Sequence, residues 1–353
     1  MVDVLIVDDS PVIREFLIHI LGADPEIRIV GVAHNGEEAV AAVQDNKPQV
    51  VTMDIHMPKL NGFDATRRIM ETNPVPIVIV SGSSTAEEIA TTFHALESGA
   101  LAVVRRPAGI AHPDHETTAR ELIQTVKLMS EVKVVRRWRL GPKSPTPVEP
   151  RPLKPPKGGA EIKIVAIGAS TGGPVALQTI LSHLPPSFPA PIVIVQHMAE
   201  GFTNGFAEWL GQTSGLPVRV AAHGETLLPG YVYIAPDGYH TSITNNLRIA
   251  LRKDEPENGL RPSVAALFRS LAESFGSNAV GIVLTGMGTD GAAELKLMKD
   301  AGAVTIAQDK QTSIVHGMPG EAIRLGAATH VLAPERIAPA LTTLLHRRSR
   351  DIG

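Results

Sequence analysis

A chain of 353 residues with 43% hydrophobic and 20% charged residues and a formal net charge of −3 is long enough for two separately buried cores at about 150 residues per domain. Zero cysteines exclude a disulfide framework, a thiolate metal site and a cysteine nucleophile, so covalent chemistry must use another side chain. The balanced charge offers no global basic field for nucleic acid, and the apolar runs fall far short of the ~20 residues that span a bilayer.

The chain opens MVDVLIVDDS, with two adjacent carboxylates where a secretory signal would carry a basic and then an apolar region, so a cytoplasmic location is expected. Short β-branched runs at residues 4–7, 27–33, 50–53, 77–80 and 102–104 alternate with amphipathic segments. Five strands with intervening helices predict a doubly wound parallel sheet. Ser10 can cap the first helix, with Pro11 in its first turn.

In such a sheet, ligands gather at the carboxyl ends of the strands. Asp8 and Asp9 close the first strand and Asp54 the third. Three carboxylates meeting there repel one another unless a cation neutralises them, and hard oxygen ligands suit Mg2+. Ser81 after the fourth strand and Arg106 after the fifth complete a site able to hold a phosphoryl group. The segment AHPDHE, with His112, Asp114, His115 and Glu116, has the composition of a metal site. Without a second ligand cluster it reads as an exposed loop whose acids start a helix over residues 117–132.

VDDS, MDIHMP, VSG and RRP, in this order and spacing, resemble the response-regulator receiver domain over roughly residues 1–125. The resemblance implies a flavodoxin-like fold in which Asp54 accepts a phosphoryl group from a histidine kinase. It also implies that Asp9, Asp54 and the backbone of His56 ligate Mg2+, that Asp8 assists through water, and that Ser81 and Arg106 read the phosphorylation state. Two positions depart from the family pattern: Arg106 stands where a lysine is usual, and Val103 where an aromatic is frequent. Arginine keeps the charge as a planar fork in place of a compact ammonium.

From about residue 131 to 160, proline recurs every few residues and no helix or strand period survives, which predicts an extended linker. Its Arg136, Arg137, Arg139, Arg151, Lys154 and Lys157 read as charges on a solvated spacer more readily than as a surface for an acidic partner. The expected division is therefore 1–130, a linker over 131–160, and a second domain over 161–353.

Beyond the linker, strand-like runs at 162–167, 191–195, 218–220, 231–235, 280–284 and 304–306 predict a second α/β sheet. GASTGG, residues 168–173, follows the first of them and fits G-x-S-x-G, a sharp strand-to-helix turn that presents a serine hydroxyl. A phosphate-binding turn and a plain structural turn fit the same hexapeptide, so the motif alone leaves three readings open. His197 ends the 191–195 run and Asp290 lies in the glycine-rich loop after 280–284, so serine, histidine and aspartate all sit at strand carboxyl ends where they can meet. Their chain order is not the serine, acid, histidine order of the α/β-hydrolases. A buried structural histidine and a turn aspartate are the alternatives.

GASTGG, VQHM, FAEWL, VYIAPDGYH, RPSVAALF, GIVLTGMGTDGA, TIAQD and GMPG resemble the catalytic domain of the chemotaxis-type protein-glutamate methylesterases, the CheB family, over about residues 162–340. The resemblance implies a Rossmann-like domain that hydrolyses methyl esters of glutamate side chains on methyl-accepting chemoreceptors and, in many members, deamidates receptor glutamines. It casts Ser170 as nucleophile, His197 as base and Asp290 as its orienting acid, with Thr171 and Met287 lining the oxyanion site. It implies no cofactor for the ester hydrolysis, and a protein working beside membrane receptors without inserting. Asp237 and Gly238 before His240, and Gly320 after GMP, depart from the family pattern at the periphery. The order of receiver, linker and hydrolase suggests that the receiver covers the hydrolase site until phosphorylation. A phosphorylation-dependent binding module without activity is the alternative, and a nucleotide switch is ranked below it because Pro174, not a Walker lysine, follows the glycines.

Overall fold

The computed structural model describes residues 1–82, 85–132, 134 and 161–346. The chain divides into two compact units, Met1–Thr146 and Pro147–Gly353. The proline-rich segment with its basic side chains lies outside the described residues from 135 to 160.

The first unit contains strands β1 (Val2–Val7), β2 (Ile27–Ala33), β3 (Val50–Met53), β4 (Ile77–Ser81) and β5 (Ala102–Arg105). They alternate with helices α1 (Pro11–Gly22), α2 (Gly36–Asn46), α3 (Gly62–Thr72), α4 (Ala86–Glu97) and α5 (His115–Ser130). The sheet is parallel throughout in the order β2-β1-β3-β4-β5. All of β3 and β4 is buried, as expected for strands covered by helices on both faces. The helix starts carry the expected chemistry: Ser10 Oγ accepts from Ile13 N with Pro11 in the first turn, and Asn61 Oδ1 accepts from Asp64 N to begin α3. Helix α5 begins at His115, two residues before the expected start, so His115 and Glu116 belong to the helix and not to the preceding loop.

The second unit contains a seven-stranded parallel sheet in the order β14-β13-β12-β6-β7-β9-β8. Its strands are β6 (Ile164–Ala169), β7 (Ile192–Gln196), β8 (Val218–Val220), β9 (Val232–Ile234), β12 (Ala279–Val283), β13 (Val304–Gln308) and β14 (His330–Leu332). Helices α6 (Gly173–Leu181), α7 (Thr203–Ser214), α8 (Val264–Ser274), α9 (Ala292–Asp300), α10 (Met318–Arg324) and α11 (Pro334–His346) complete it. An antiparallel hairpin of β10 (His240–Ile243) and β11 (Ile249–Arg252) packs against α8. Neither this hairpin nor β14 is among the strands expected from the sequence. The hairpin strands are four residues long and rich in Thr, Ser and Arg, and β14 is a three-residue edge strand, so neither presents the continuous apolar run of an interior strand.

Both sheets reverse their winding direction at one place, between β1 and β3 in the first and between β6 and β12 in the second. Each reversal opens a crevice at the strand carboxyl ends, the standard ligand position of open α/β sheets.

The core of the second unit joins α8 to the sheet: Val264, Leu267, Phe268 and Leu271 pack with Ile164, Ala166 and Val283, all fully buried. Phe268→Ala should destabilise this unit by about 3–5 kcal/mol through lost burial and the cavity left behind. A urea titration of the full chain followed by tryptophan fluorescence checks it, and an unchanged midpoint would show that the helix is not held by this ring.

Candidate functional site

In the first unit, Asp8 and Asp9 leave β1 and Asp54 leaves β3, on the two sides of the winding reversal. One carboxylate oxygen from each lies within 4.8 Å of the others. Asp8 Oδ1 accepts from Ser10 N at 2.9 Å, while Asp8 Oδ2 is buried with no hydrogen-bond partner among the described residues. Burial pushes the Asp8 carboxyl up to about 6, with the Asp54 charge adding to the effect against the Ser10 amide and Arg106. Burial also raises Asp54, opposed by Arg106. A bare buried acceptor among three converging carboxylates, two of them held against ionisation by burial, fits a hard divalent cation such as Mg2+.

His56 contributes its backbone N, which donates to Asp54 Oδ2 at 3.1 Å, while its side chain is exposed. Arg106 reaches over the same site, with Nη2 3.7 Å from Asp8 Oδ2 and 3.6 Å from Asp54 Oδ1. Gly82 makes room for it, since a Cβ there would lie 2.8 Å from Arg106 Nη1. Ser81 is buried at the end of β4 with Oγ 3.2 Å from Thr92 Oγ1 on α4, and Val103 is half-buried on β5 opposite Ile79. The AHPDHE residues do not converge. Nδ1 of His115 donates to Ala108 O and Nδ1 of His112 accepts from Asp114 N; among the described residues the acid and histidine cluster close enough for a metal is Asp8, Asp9 and Asp54.

In the second unit the turn after β6 is shaped by its glycines. Gly172 takes a left-handed conformation at φ +80°, Gly173 N donates to Ser170 O at 2.7 Å, and α6 starts at once. Ser170 N donates to Thr285 O at 3.1 Å, which ties the turn to the loop after β12. That loop can approach so closely because position 286 is glycine: a Cβ there would sit 2.7 Å from Ser170 Cβ.

His197 leaves the adjacent strand β7, its N donating to Ala169 O at 2.9 Å. Its Nε2 lies 2.9 Å from Asp290 Oδ2, and the two side chains are only 10% and 3% exposed. The approach is close but off the line of a hydrogen bond, so the pairing is an electrostatic contact in this conformation. Asp290 is held by the first turn of α8, Oδ2 accepting from Val264 N at 2.7 Å and Oδ1 from Ala265 N at 3.1 Å. Its two oxygens thereby satisfy two of the orphan amides that open a helix.

Ser170 Oγ makes no hydrogen bond to His197 among the described residues; such contacts often tighten only with substrate bound. The structure therefore brings His197 and Asp290 into contact and sets Ser170 in the neighbouring turn. Thr171 lies beside it, its carbonyl accepting from Thr285 Oγ1 at 2.9 Å, while the Met287 side chain is 52% exposed on the loop after β12. Asp237 braces the loop before α7, accepting from Gly201 N and Thr203 Oγ1, and Gly320 packs under His316. Three residues that sequence reasoning passed over complete the frame. Gln196 donates to the carbonyls of Ser170 and His197, and Gln308 accepts from Thr285 N, whose hydroxyl also accepts from Val315 N. Their one sequence signal is a polar residue closing an apolar strand, in VQHM, TIAQD and IVLTG.

The description "CheB methylesterase" matches residues 165–341, and "Response regulator receiver domain" matches residues 4–112. The protein-glutamate methylesterase/protein-glutamine glutaminase of Nitrosospira multiformis is 59% identical over 350 residues, covering 99% of this chain and 98% of its own. A namesake from Geobacter metallireducens is 57% identical over 347 residues, covering 98% of this chain and 99% of its own. The crystal structure of the Thermotoga maritima CheB methylesterase catalytic domain matches with TM-score 0.51 at 42% identity, covering 52% of this chain and 100% of that one. The chain belongs to the CheB methylesterase family, with a response regulator receiver domain ahead of its methylesterase domain.

Proposed function

We propose that this protein is a phosphorylation-controlled serine hydrolase that demethylates glutamate methyl esters, and deamidates glutamines, on methyl-accepting chemoreceptors, and so resets a two-component sensory pathway. The observation that carries the reading is the buried His197–Asp290 pair beside the Ser170 turn, at the winding reversal of a sheet whose relatives bear this activity in their names.

Ser170 Oγ attacks the γ-carbonyl carbon of the ester while His197 takes its proton. Asp290 beside Nε2 favours the tautomer with its proton there, which leaves Nδ1 as the acceptor. The tetrahedral oxyanion is held by the backbone amide of Thr171, with Met287 alongside, since the Ser170 amide is already bonded to Thr285 O; one preorganised donor lowers the barrier by roughly 3–4 kcal/mol. The C–O bond to the methoxy group breaks as His197 returns the proton, and methanol leaves. Water then attacks the acyl-serine, gives a proton to His197, and releases the glutamate carboxylate and the free Ser170 hydroxyl. With a glutamine substrate the same steps expel ammonia.

In the receiver, Asp54 takes the phosphoryl group from a histidine kinase. Asp8, Asp9, Asp54 and the backbone of His56 would hold Mg2+, which when bound supplies positive charge against the phosphoryl oxygens. Ser81 and Arg106 respond to the new charge by hydrogen bonding. The protein works in the cytoplasm next to membrane receptors, and among the described residues no helix is long and apolar enough to cross a membrane.

Methanol release from methylated chemoreceptor membranes tests both halves. Full-length protein should release methanol faster, by about tenfold or more, when a small-molecule phosphodonor and Mg2+ are added, a change within the usual range of coupling energies. Asp54→Asn should keep basal release and lose the stimulation. No release by the wild-type protein on cognate receptors would overturn the hydrolase reading in favour of a binding module.

A further inference from the structure

Strand β7 ends at Gln196 and β6 at Ala169, and these two residues are register partners. The next residues along each strand are His197 and Ser170, so the proposed base and nucleophile lie just past the last regular rung between the two strands. Beyond the bond from His197 N to Ala169 O, the sheet ladder itself no longer sets how far apart they stand.

We propose that Gln196 is a positioning residue that ties the nucleophile turn to the base turn and so sets the Ser170–His197 geometry. The inference rests on the hydrolase reading above and adds a residue to which that reading gives no role. The Gln196 side chain is 5% exposed, and its Nε2 donates to Ser170 O at 2.8 Å and to His197 O at 2.8 Å. One amide group therefore spends both its hydrogens on the backbones of the two residues that must exchange a proton. Space is kept for it by Gly173, where a Cβ would fall 2.1 Å from Gln196 Oε1.

The other end of the same amide argues that the donors matter. Oε1 is buried and has no hydrogen-bond partner among the described residues, an unfavourable state that an apolar side chain of the same volume would avoid. A residue selected only to fill the space under α6 would leave no orphaned acceptor. Geometry also restricts the side chain that can serve. A carboxylate would set oxygens against two carbonyl oxygens, and an asparagine is one methylene short of the span.

The test uses full-length wild type, Gln196→Met, which keeps the volume without donors, and Gln196→Glu, which keeps the shape and turns donors into acceptors. Each is assayed for methanol release from methylated chemoreceptor membranes and for the rate of Ser170 labelling by a fluorophosphonate, a probe that needs an activated serine and no receptor docking. Both variants should lose about 100-fold in kcat with KM within twofold, the scale expected when reacting groups are displaced by about 1 Å. The labelling rate constant should fall in parallel, while the fraction labelled at the end point stays as in wild type, because the folded molecules are intact and only slower. A purely structural role would lower the end point and leave the rate constant of the folded molecules unchanged. If Gln196→Met unfolds, Gln196→Glu carries the same comparison. Wild-type labelling rates in either folded variant would overturn the inference; failure of the wild-type protein itself to release methanol or to be labelled would overturn the hydrolase reading beneath it.

Discussion

Ser170→Ala is expected to lower kcat for methanol release by about 10^6-fold, the scale of removing a nucleophile from a serine, histidine and acid unit. Alanine keeps the backbone of the turn, including the bonds from Gly173 N and Gln196 Nε2 to the carbonyl of residue 170 and from its own N to Thr285 O. Folding and receptor binding should therefore persist, with KM nearly unchanged. Phosphodonor labelling of Asp54 should also persist, since that chemistry belongs to the other unit. Steady-state kinetics on methylated receptors beside a phosphorylation assay decides it. A loss of less than tenfold would show that the ester is cleaved by some other group.

The second large effect concerns Asp290. Asp290→Asn should reduce kcat by about 10^4-fold, as expected when an orienting carboxylate becomes an amide and the histidine takes the wrong tautomer. The local geometry explains why asparagine cannot substitute. Oδ2 faces both Val264 N and His197 Nε2, and Oδ1 faces Ala265 N, so both oxygens already accept from backbone donors. An asparagine NH2 must point at one of these donors, leaving a buried N–H unsatisfied at roughly 1–3 kcal/mol in stability. If it turns towards the histidine, Nε2 must accept and Nδ1 carries the proton, which blocks its role as base. Measured kcat, KM and thermal midpoint separate the outcomes. A fall in midpoint with kcat unchanged would mean that Asp290 only anchors α8.

Much of this architecture was legible before any coordinates because interior parallel strands are buried on both faces and read as unbroken β-branched runs. Where such a run stops at a polar residue, the chain has reached the crevice side of the sheet. That rule located Asp8, Asp9, Asp54, Ser170 and His197, and the glycine-rich loop after β12 located Asp290. It missed the β10–β11 hairpin and β14, whose short, half-polar strands owe their pairing to α8 and to β13 more than to their own pattern. It also extended the acidic loop past the true start of α5 at His115, because Asp114 makes no side-chain cap and helix ends without caps leave little trace in sequence.

By itself the sequence determined the two α/β units, their strand order in time and the residue types offered at each strand end, since these depend on local apolar period and on where it breaks. Only the tertiary structure decided which of those residues touch. Asp290 is held by amides 25 and 26 residues away, Thr285 bonds the carbonyl of Thr171 across 114 positions, and Gln196 reaches the carbonyl of Ser170 across 26. The Thr285–Thr171 contact arises from the winding reversal that carries β12 back beside β6, and the Gln196 contact from the pairing of β7 with β6; they are set by packing of whole elements, which no local pattern encodes.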